Sequence, residues 1–137
     1  VVRRNTHAES SGWTEVGGAG ADAFPDPSRL VATGPAEQYL VWKRPNLQWF
    51  TLTLYTRDVS LVTRDVQVAV SAEQGDWQPL ATEVIDAVLS ADGWYQVKLR
   101  GENSSLPSAA YLRVLIDTDT TLAANYQFGY IEIAAPK

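Results

Sequence analysis

The chain has 137 residues, a formal net charge of -5 at pH 7, no Cys and one His. This length predicts one domain that can bury a substantial core. The lack of Cys excludes disulfides and thiolate metal sites. A lone His7 excludes a zinc site built from several histidines and removes the base of a Ser-His-Asp scheme. The acidic balance argues against nucleic acid as a partner, because that binding rests on clustered Lys and Arg.

Residues 1–28 are polar, then glycine-rich, then interrupted by Pro25 and Pro27. We predict an arm or long loop here, with at most one short strand at 13–16. The prolines prevent the helix that must follow a phosphate-binding loop. The chain lacks a run of about 18 apolar residues and a charged-then-apolar leader, so we expect neither a membrane span nor a signal peptide. Because the chain begins at Val1 without Met, we expect a module excised from a larger protein, or a mature product.

From residue 29 to the end, short β-rich runs recur about every dozen residues between turn signals such as Pro45-Asn46 and Asp92-Gly93. This spacing predicts a single all-β module, an antiparallel β-sandwich of the jelly-roll type with little or no helix. The run at 83–89 also has helical spacing, with Thr82 able to cap a helix, but we favour a strand. The eight predicted strands are 29–33, 38–43, 49–57, 65–71, 83–89, 94–100, 110–117 and 126–134.

In an eight-stranded jelly roll, the first, third, sixth and eighth strands share one sheet. This rule places 49–57, 94–100 and 126–134 together, and strand alternation then separates a core face from an outward face. The predicted core residues are Phe50, Leu52, Leu54, Tyr95, Val97, Leu99, Ile131 and Ile133. The predicted outward residues are Trp49, Thr51, Thr53, Tyr55, Arg57, Trp94, Gln96, Lys98, Arg100, Phe128, Tyr130 and Glu132.

The outward face of this sheet is predicted to be rich in aromatic rings, and antiparallel pairing brings Tyr55 and Arg57 near Trp94 and Gln96, with Tyr130 beside them. Exposed rings among polar groups favour a flat, polar ligand such as a sugar. The alternative is that aromatic residues simply favour strands and that scattered exposed rings are normal. On the second sheet, the same alternation predicts an outward face with fewer aromatic rings. The predicted outward residues there are Gln67, Ala69, Ser71, Tyr111, Arg113, Leu115 and Asp117.

Three fragments carry a resemblance to a known family: the run 68–77, with its strand, Ser71, acidic-glycine turn and Trp77; the run 111–116; and the closing strand 127–133. Together they resemble the β-jelly-roll carbohydrate-binding modules of bacterial glycoside hydrolases, in the superfamily of discoidin-like and galactose-binding-like domains. The turn departs from that pattern, with Glu-Gln-Gly-Asp where Asp-Gly is expected. The resemblance implies a secreted or extracellular module that holds a parent catalytic domain on a polysaccharide or oligosaccharide.

We therefore predict a non-catalytic carbohydrate-binding module, and the alternative is a structural or protein-docking sandwich without glycan binding. The aromatic rings would stack on the sugar, and the polar groups around them would form hydrogen bonds with its hydroxyl groups. The predicted ligand-binding residues are Trp94, Tyr55, Tyr130, Trp49, Arg57, Gln96, Lys98 and Glu132. A site at the loop tips stays open as well, through Trp13, Trp42 or Trp77, although Trp77 is predicted to close the core.

Catalysis and metal binding are less favoured by the sequence. Glycoside hydrolysis needs two neighbouring carboxyl groups, and Glu132 is the one acidic residue predicted on the aromatic face. The run Asp117-Thr118-Asp119 lacks the later residues of an EF-hand loop, which favours a solvated loop. We expect no cofactor, although the resemblance implies that a structural calcium ion is possible, with Glu9, Asp22 or Asp26 as ligands.

Overall fold

The computed structural model describes residues 8–9, 13–16, 29–32, 37–89, 93–104, 106–117 and 126–134. Two short helical turns lie in this part of the chain, a 3-10 helix at Val59–Leu61 and α1 at Val62–Asp65, and neither is long and apolar enough to cross a membrane. The described strands are β1 (Ala8–Glu9), β2 (Trp13–Val16), β3 (Arg29–Ala32), β4 (Glu37–Lys43), β5 (Trp49–Thr56), β6 (Gln67–Ser71), β7 (Gln78–Pro79), β8 (Thr82–Leu89), β9 (Tyr95–Glu102), β10 (Tyr111–Asp117) and β11 (Tyr126–Ala134).

These strands form two antiparallel sheets, one in the order β1-β4-β10-β6-β7 and the other in the order β2-β3-β11-β5-β9-β8. The predicted all-β antiparallel sandwich is confirmed. The sheet membership predicted by the jelly-roll rule holds for β3, β5, β9 and β11, which share one sheet, and for β4, β6 and β10, which share the other. The short strand predicted at 13–16 is also present, at the edge of the six-stranded sheet.

The fifth predicted strand departs from the jelly-roll rule. Residues 82–89 form a strand and not a helix, but β8 pairs with β9 and so joins the six-stranded sheet. The rule places it in the other sheet, where the edge beside β6 is formed by the two residues of β7, Gln78 and Pro79. A proline has no N–H to donate to a ladder, which keeps this pairing short and confines it to the sheet edge.

The core lies between the two sheets and contains the inward residues of both. The six-stranded sheet contributes the set that alternation predicts on β5, β9 and β11, and the five-stranded sheet contributes a matching set. Trp42 belongs to this core on the same side of β4 as Leu40, so it does not line a loop tip. The residues of the five-stranded sheet that belong to this core are Leu40, Trp42, Val68, Val70, Leu112, Val114 and Ile116.

The helical link between β5 and β6 is tied to the sandwich by polar contacts. Asp58 caps the 3-10 helix by accepting from Ser60 N and Oγ, and the Ser60 hydroxyl is the main reason that the pKa of Asp58 lies below its ordinary value. Asp65 accepts a 2.5 Å hydrogen bond from the Tyr126 hydroxyl and a 2.8 Å bond from Arg64. Burial, and then this bond, raise the pKa of Tyr126 well above its ordinary range. The link is therefore fixed against the first residue of β11.

Gly101 provides a test of the core packing, because it pairs with Phe50 across β9 and β5. A β-carbon added at Gly101 would overlap the fully buried Phe50 ring and would lie 3.2 Å from Leu80 Cδ2. We expect Gly101→Ala to lower the free energy of unfolding by about 1–3 kcal/mol, the usual cost of overpacking. Urea denaturation measures this loss.

The matched control is Gly75→Ala, because a β-carbon at Gly75 meets nothing within 4 Å. Stability within about 0.5 kcal/mol of the parent protein is expected for this variant. Equal stability of the Gly101→Ala protein and its parent would contradict the tight contact between Gly101 and Phe50.

Candidate outward-face site

The six-stranded sheet places all eight predicted ligand-binding residues on or beside three adjacent strands. Tyr55 pairs with Gln96 on β9, and Gln96 Nε2 donates to the Tyr55 hydroxyl at 3.3 Å. The Arg57 guanidinium carbon lies 5.0 Å from the centre of the Trp94 ring. The predicted proximity of Tyr55 and Arg57 to Trp94 and Gln96 is therefore confirmed, although their role in binding stays a prediction.

The predicted exposure of two central rings is wrong. Tyr55 is 0% exposed and Trp94 is 4% exposed, and they form a small hydrophobic cluster separate from the main core. Alternation correctly gives the direction of these side chains, but direction does not determine exposure. Neighbours on the same face, including Arg57 and Gln96, contact the rings. Tyr55 and Trp94 therefore lack the open ring face that stacking on a sugar requires.

A β-bulge changes the predicted face of β11. Pairing with β5 shifts register between Phe128 and Tyr130, so Gly129 interrupts the alternation. Phe128 consequently points into the core, where it is buried, and its predicted outward position is wrong. Gly129 was the available signal, since a glycine inside a strand often marks a bulge. The shift also places Tyr130 opposite Thr53, and not opposite Tyr55; the side chain of Tyr130 lies outside the described part.

Trp49 is the ring of the described outward set that keeps partial access to solvent. It is half-buried, and the Arg100 guanidinium carbon lies 4.6 Å from its centre. Arg100 Nη2 also pairs with Glu102 Oε1 at 3.3 Å, and Glu102 is the register partner of Trp49. Such an arrangement fixes the guanidinium between an aromatic face and a carboxylate.

Arg100 and Glu102 of this Trp49–Arg100–Glu102 cluster line an open cavity of about 340 Å³. The other lining residues are Ala81, Thr82 and Glu83 of the β8 side and Gly101 of β9, with Glu83 paired with Arg100 and Thr82 paired with Gly101. The row of register partners continues from Glu83 through Arg100 and Thr51 to Glu132. The cavity and this row together offer hydrogen-bond donors and acceptors on the face that carries Trp49, which suits a ligand rich in hydroxyl groups.

Two acidic residues of this face were missed at the sequence level. Glu102 lies on β9 beyond Arg100, where we ended the predicted strand, and Glu83 lies on β8, which was assigned to the other sheet. Glu132 is thus joined by further carboxylates on the same face. Extending the alternation of β9 by two residues would have found Glu102, whereas the position of Glu83 required the tertiary structure.

The outward face of the five-stranded sheet is more buried than alternation predicts. Ala69, Ser71 and Leu115 are buried, although they were predicted to be exposed. Trp77 is half-buried and is not part of the core cluster; the Arg113 guanidinium carbon lies 4.7 Å from its centre. The prediction that Trp77 closes the core is therefore wrong, because the outward Arg113 holds this ring on the outer side of the five-stranded sheet.

The described residues contain no group of three or more His, Cys, Asp and Glu side chains that could hold a metal ion. The candidate calcium ligands are not part of that search: the side chains of Glu9 and Asp117 lie outside the described residues, as do Asp22 and Asp26. Trp13 contributes backbone to β2, but its side chain is likewise outside the described part. The calcium site stays a prediction from the resemblance.

Comparison with known proteins adds no assignment. No family model matches the chain, and no curated protein or solved structure matches it. The likeness to carbohydrate-binding modules therefore rests on the three sequence fragments.

Proposed function

We propose that this protein is a non-catalytic carbohydrate-binding module that binds a glycan at the Trp49–Arg100–Glu102 cluster. The observation that carries the proposal is the half-buried Trp49 ring under the Arg100 guanidinium, with Arg100 and Glu102 lining an open cavity. A tryptophan ring can cover the C–H face of a sugar and release water from both surfaces. Thr51, Arg100 and Glu102 supply hydroxyl, guanidinium and carboxylate groups for the sugar hydroxyls.

The wider setting of the proposal rests on the resemblance. A module of this kind would be secreted or extracellular and would hold a parent glycan-active catalytic domain on a polysaccharide. Tyr55 and Trp94 take a different role from the one predicted: as a buried pair they support the strands on which Trp49 and Arg100 lie. Arg57, Gln96, Lys98 and Glu132 remain candidates for contacts with a longer glycan chain.

The decisive measurement is glycan affinity of the isolated chain and its Trp49→Ala variant. Native gels containing β-glucans, mannans, xylans or α-glucans identify the glycan, and calorimetry then gives the affinity. We expect at least one glycan to retard the parent protein. Trp49→Ala should weaken binding by about 1–3 kcal/mol, as for a central aromatic residue of a binding site.

Trp77→Ala is the matched control, because Trp77 is also half-buried and also lies under an arginine, but on the other sheet. Its glycan affinity should equal that of the parent. The proposal fails if no glycan retards the parent protein, or if Trp77→Ala abolishes binding while Trp49→Ala does not. Release of reducing sugar ends by the parent protein would instead indicate an enzyme.

The alternative function, a protein-docking accessory domain without glycan binding, is favoured by a different feature. Strand β8 carries exposed apolar side chains at the edge of the six-stranded sheet. Failure of the whole glycan panel together with binding of a protein segment at β8 would select this alternative.

A further inference from the structure

Strand β8 is the last strand of the six-stranded sheet, and among the described residues no strand pairs with its outer edge. Ile85, Val88 and Leu89 on this strand are 48%, 45% and 57% exposed. Natural sandwiches usually shorten, cover or charge such edges, because the unpaired backbone groups can bind another strand. An eight-residue edge strand with three exposed apolar side chains is therefore a candidate binding surface.

The inner side of β8 is exposed toward the end of the strand, whereas Val84 nearer its start packs against the core. Ala87 and Leu89 pair with Val97 and Tyr95, whose side chains face the core, yet Ala87 and Leu89 are exposed. At this edge the five-stranded sheet contributes only the two-residue strand β7. An added strand could thus cover apolar surface on the inner side as well as satisfy backbone groups.

The charges of β8 define which strand fits. Residues 82–89 contain two carboxylates, Glu83 and Asp86, and no cation. Their partners on β9 are Arg100 and Lys98, while Val84 and Ala87 pair with Leu99 and Val97. The strand already present beside β8 therefore alternates basic and apolar residues, and a strand on the free edge faces the same pattern. A second copy of β8 would instead add carboxylates to this edge, in a chain whose net charge is -5.

We propose that β8 binds an extended peptide segment of a partner protein in which basic and apolar residues alternate. The segment adds to the sheet through backbone hydrogen bonds, its apolar side chains cover Ala87 and Leu89, and its cations lie near Asp86. The register of β8 with β9 shifts between Val84 and Asp86, so we expect the segment to pair with the regular stretch 86–89 beyond the shift. This proposal is independent of the glycan site.

The test uses a fluorescein-labelled peptide with the sequence of residues 95–100, Tyr-Gln-Val-Lys-Leu-Arg, and the whole 137-residue chain. The control peptide has Glu in place of both cations. Anisotropy should show saturable binding of the basic peptide, weakened by added salt, and at least about tenfold weaker binding of the acidic one. Amide NMR shifts should cluster on β8.

Two matched variants test the role of charge. Asp86→Lys should weaken binding of the basic peptide about fivefold, because an attractive cross-strand pair becomes repulsive. Asp76→Lys changes the net charge equally, at another exposed position in the turn before β7, and should leave peptide affinity unchanged. Circular dichroism confirms that both variants are folded.

Several results would overturn the proposal. These are absence of saturable binding at about millimolar peptide, equal affinity for the basic and acidic peptides, and equal effects of Asp86→Lys and Asp76→Lys. NMR shifts that spread to β5 would indicate that the peptide replaces β9 and does not add to β8. Dimerisation of the peptide-free chain through β8, measured by light scattering, would assign the edge to a second copy.

Discussion

Replacing Trp94 with alanine is expected to lower the free energy of unfolding by about 3–5 kcal/mol, the usual cost of removing a large buried ring. Trp94 is 4% exposed and packs with the fully buried Tyr55, outside the main core. The substitution also removes the ring that lies under Arg57. Denaturant unfolding, followed by far-ultraviolet circular dichroism so that the lost Trp does not affect the signal, measures the change.

Trp49→Ala is the control for this result, because it removes the same side chain from the same face at a half-buried position. Its expected stability loss is smaller, about 1 kcal/mol. Equal stability of the Trp94→Ala protein and the parent would mean that the ring is exposed in solution. Trp94 would then return as a candidate stacking platform.

The second large effect is expected at Asn103, which joins two loops at the end of the sandwich. Its Nδ2 donates to the carbonyl oxygens of Leu47 and Leu106 at 2.9 and 2.8 Å, and its Oδ1 accepts from Leu106 N at 3.2 Å. Asn103→Asp replaces the shared donor by a carboxylate oxygen facing two carbonyl oxygens. We expect a loss of about 2–4 kcal/mol at pH 7, since an unsatisfied group costs about 1–3 kcal/mol when buried and these hydrogen bonds are part-buried.

Acidification separates the electrostatic part of this loss from the geometric part. A protonated carboxyl group can again donate one hydrogen bond, so the difference between Asn103→Asp and the parent should shrink as the pH is lowered. Asn103→Ala cannot recover in this way, and its deficit relative to the parent should not show that recovery. A pH-independent deficit for Asn103→Asp would contradict the assigned donor role of Nδ2.

The sheet-face residues illustrate how far alternation can predict a site. Period-two alternation correctly placed Phe50, Leu52 and Leu54 in the core, and antiparallel order brought Tyr55 beside Gln96. It failed for Phe128, because a bulge adds a residue to one strand and inverts every assignment before it. Alternation assumes an uninterrupted ladder, and Gly129 is where that assumption fails.

The sequence by itself determined the all-β class, most strand positions and the inward set on β5 and β9, because these follow from local periodicity and turn chemistry. With the jelly-roll rule it also predicted the sheet to which most strands belong. The tertiary structure alone decided that Tyr55 and Trp94 are buried, that β8 joins the six-stranded sheet, and that Glu83 faces Arg100. Burial of an outward side chain and the choice of sheet for an edge strand depend on residues distant in the chain. A local sequence pattern contains no information about contacts with such distant residues.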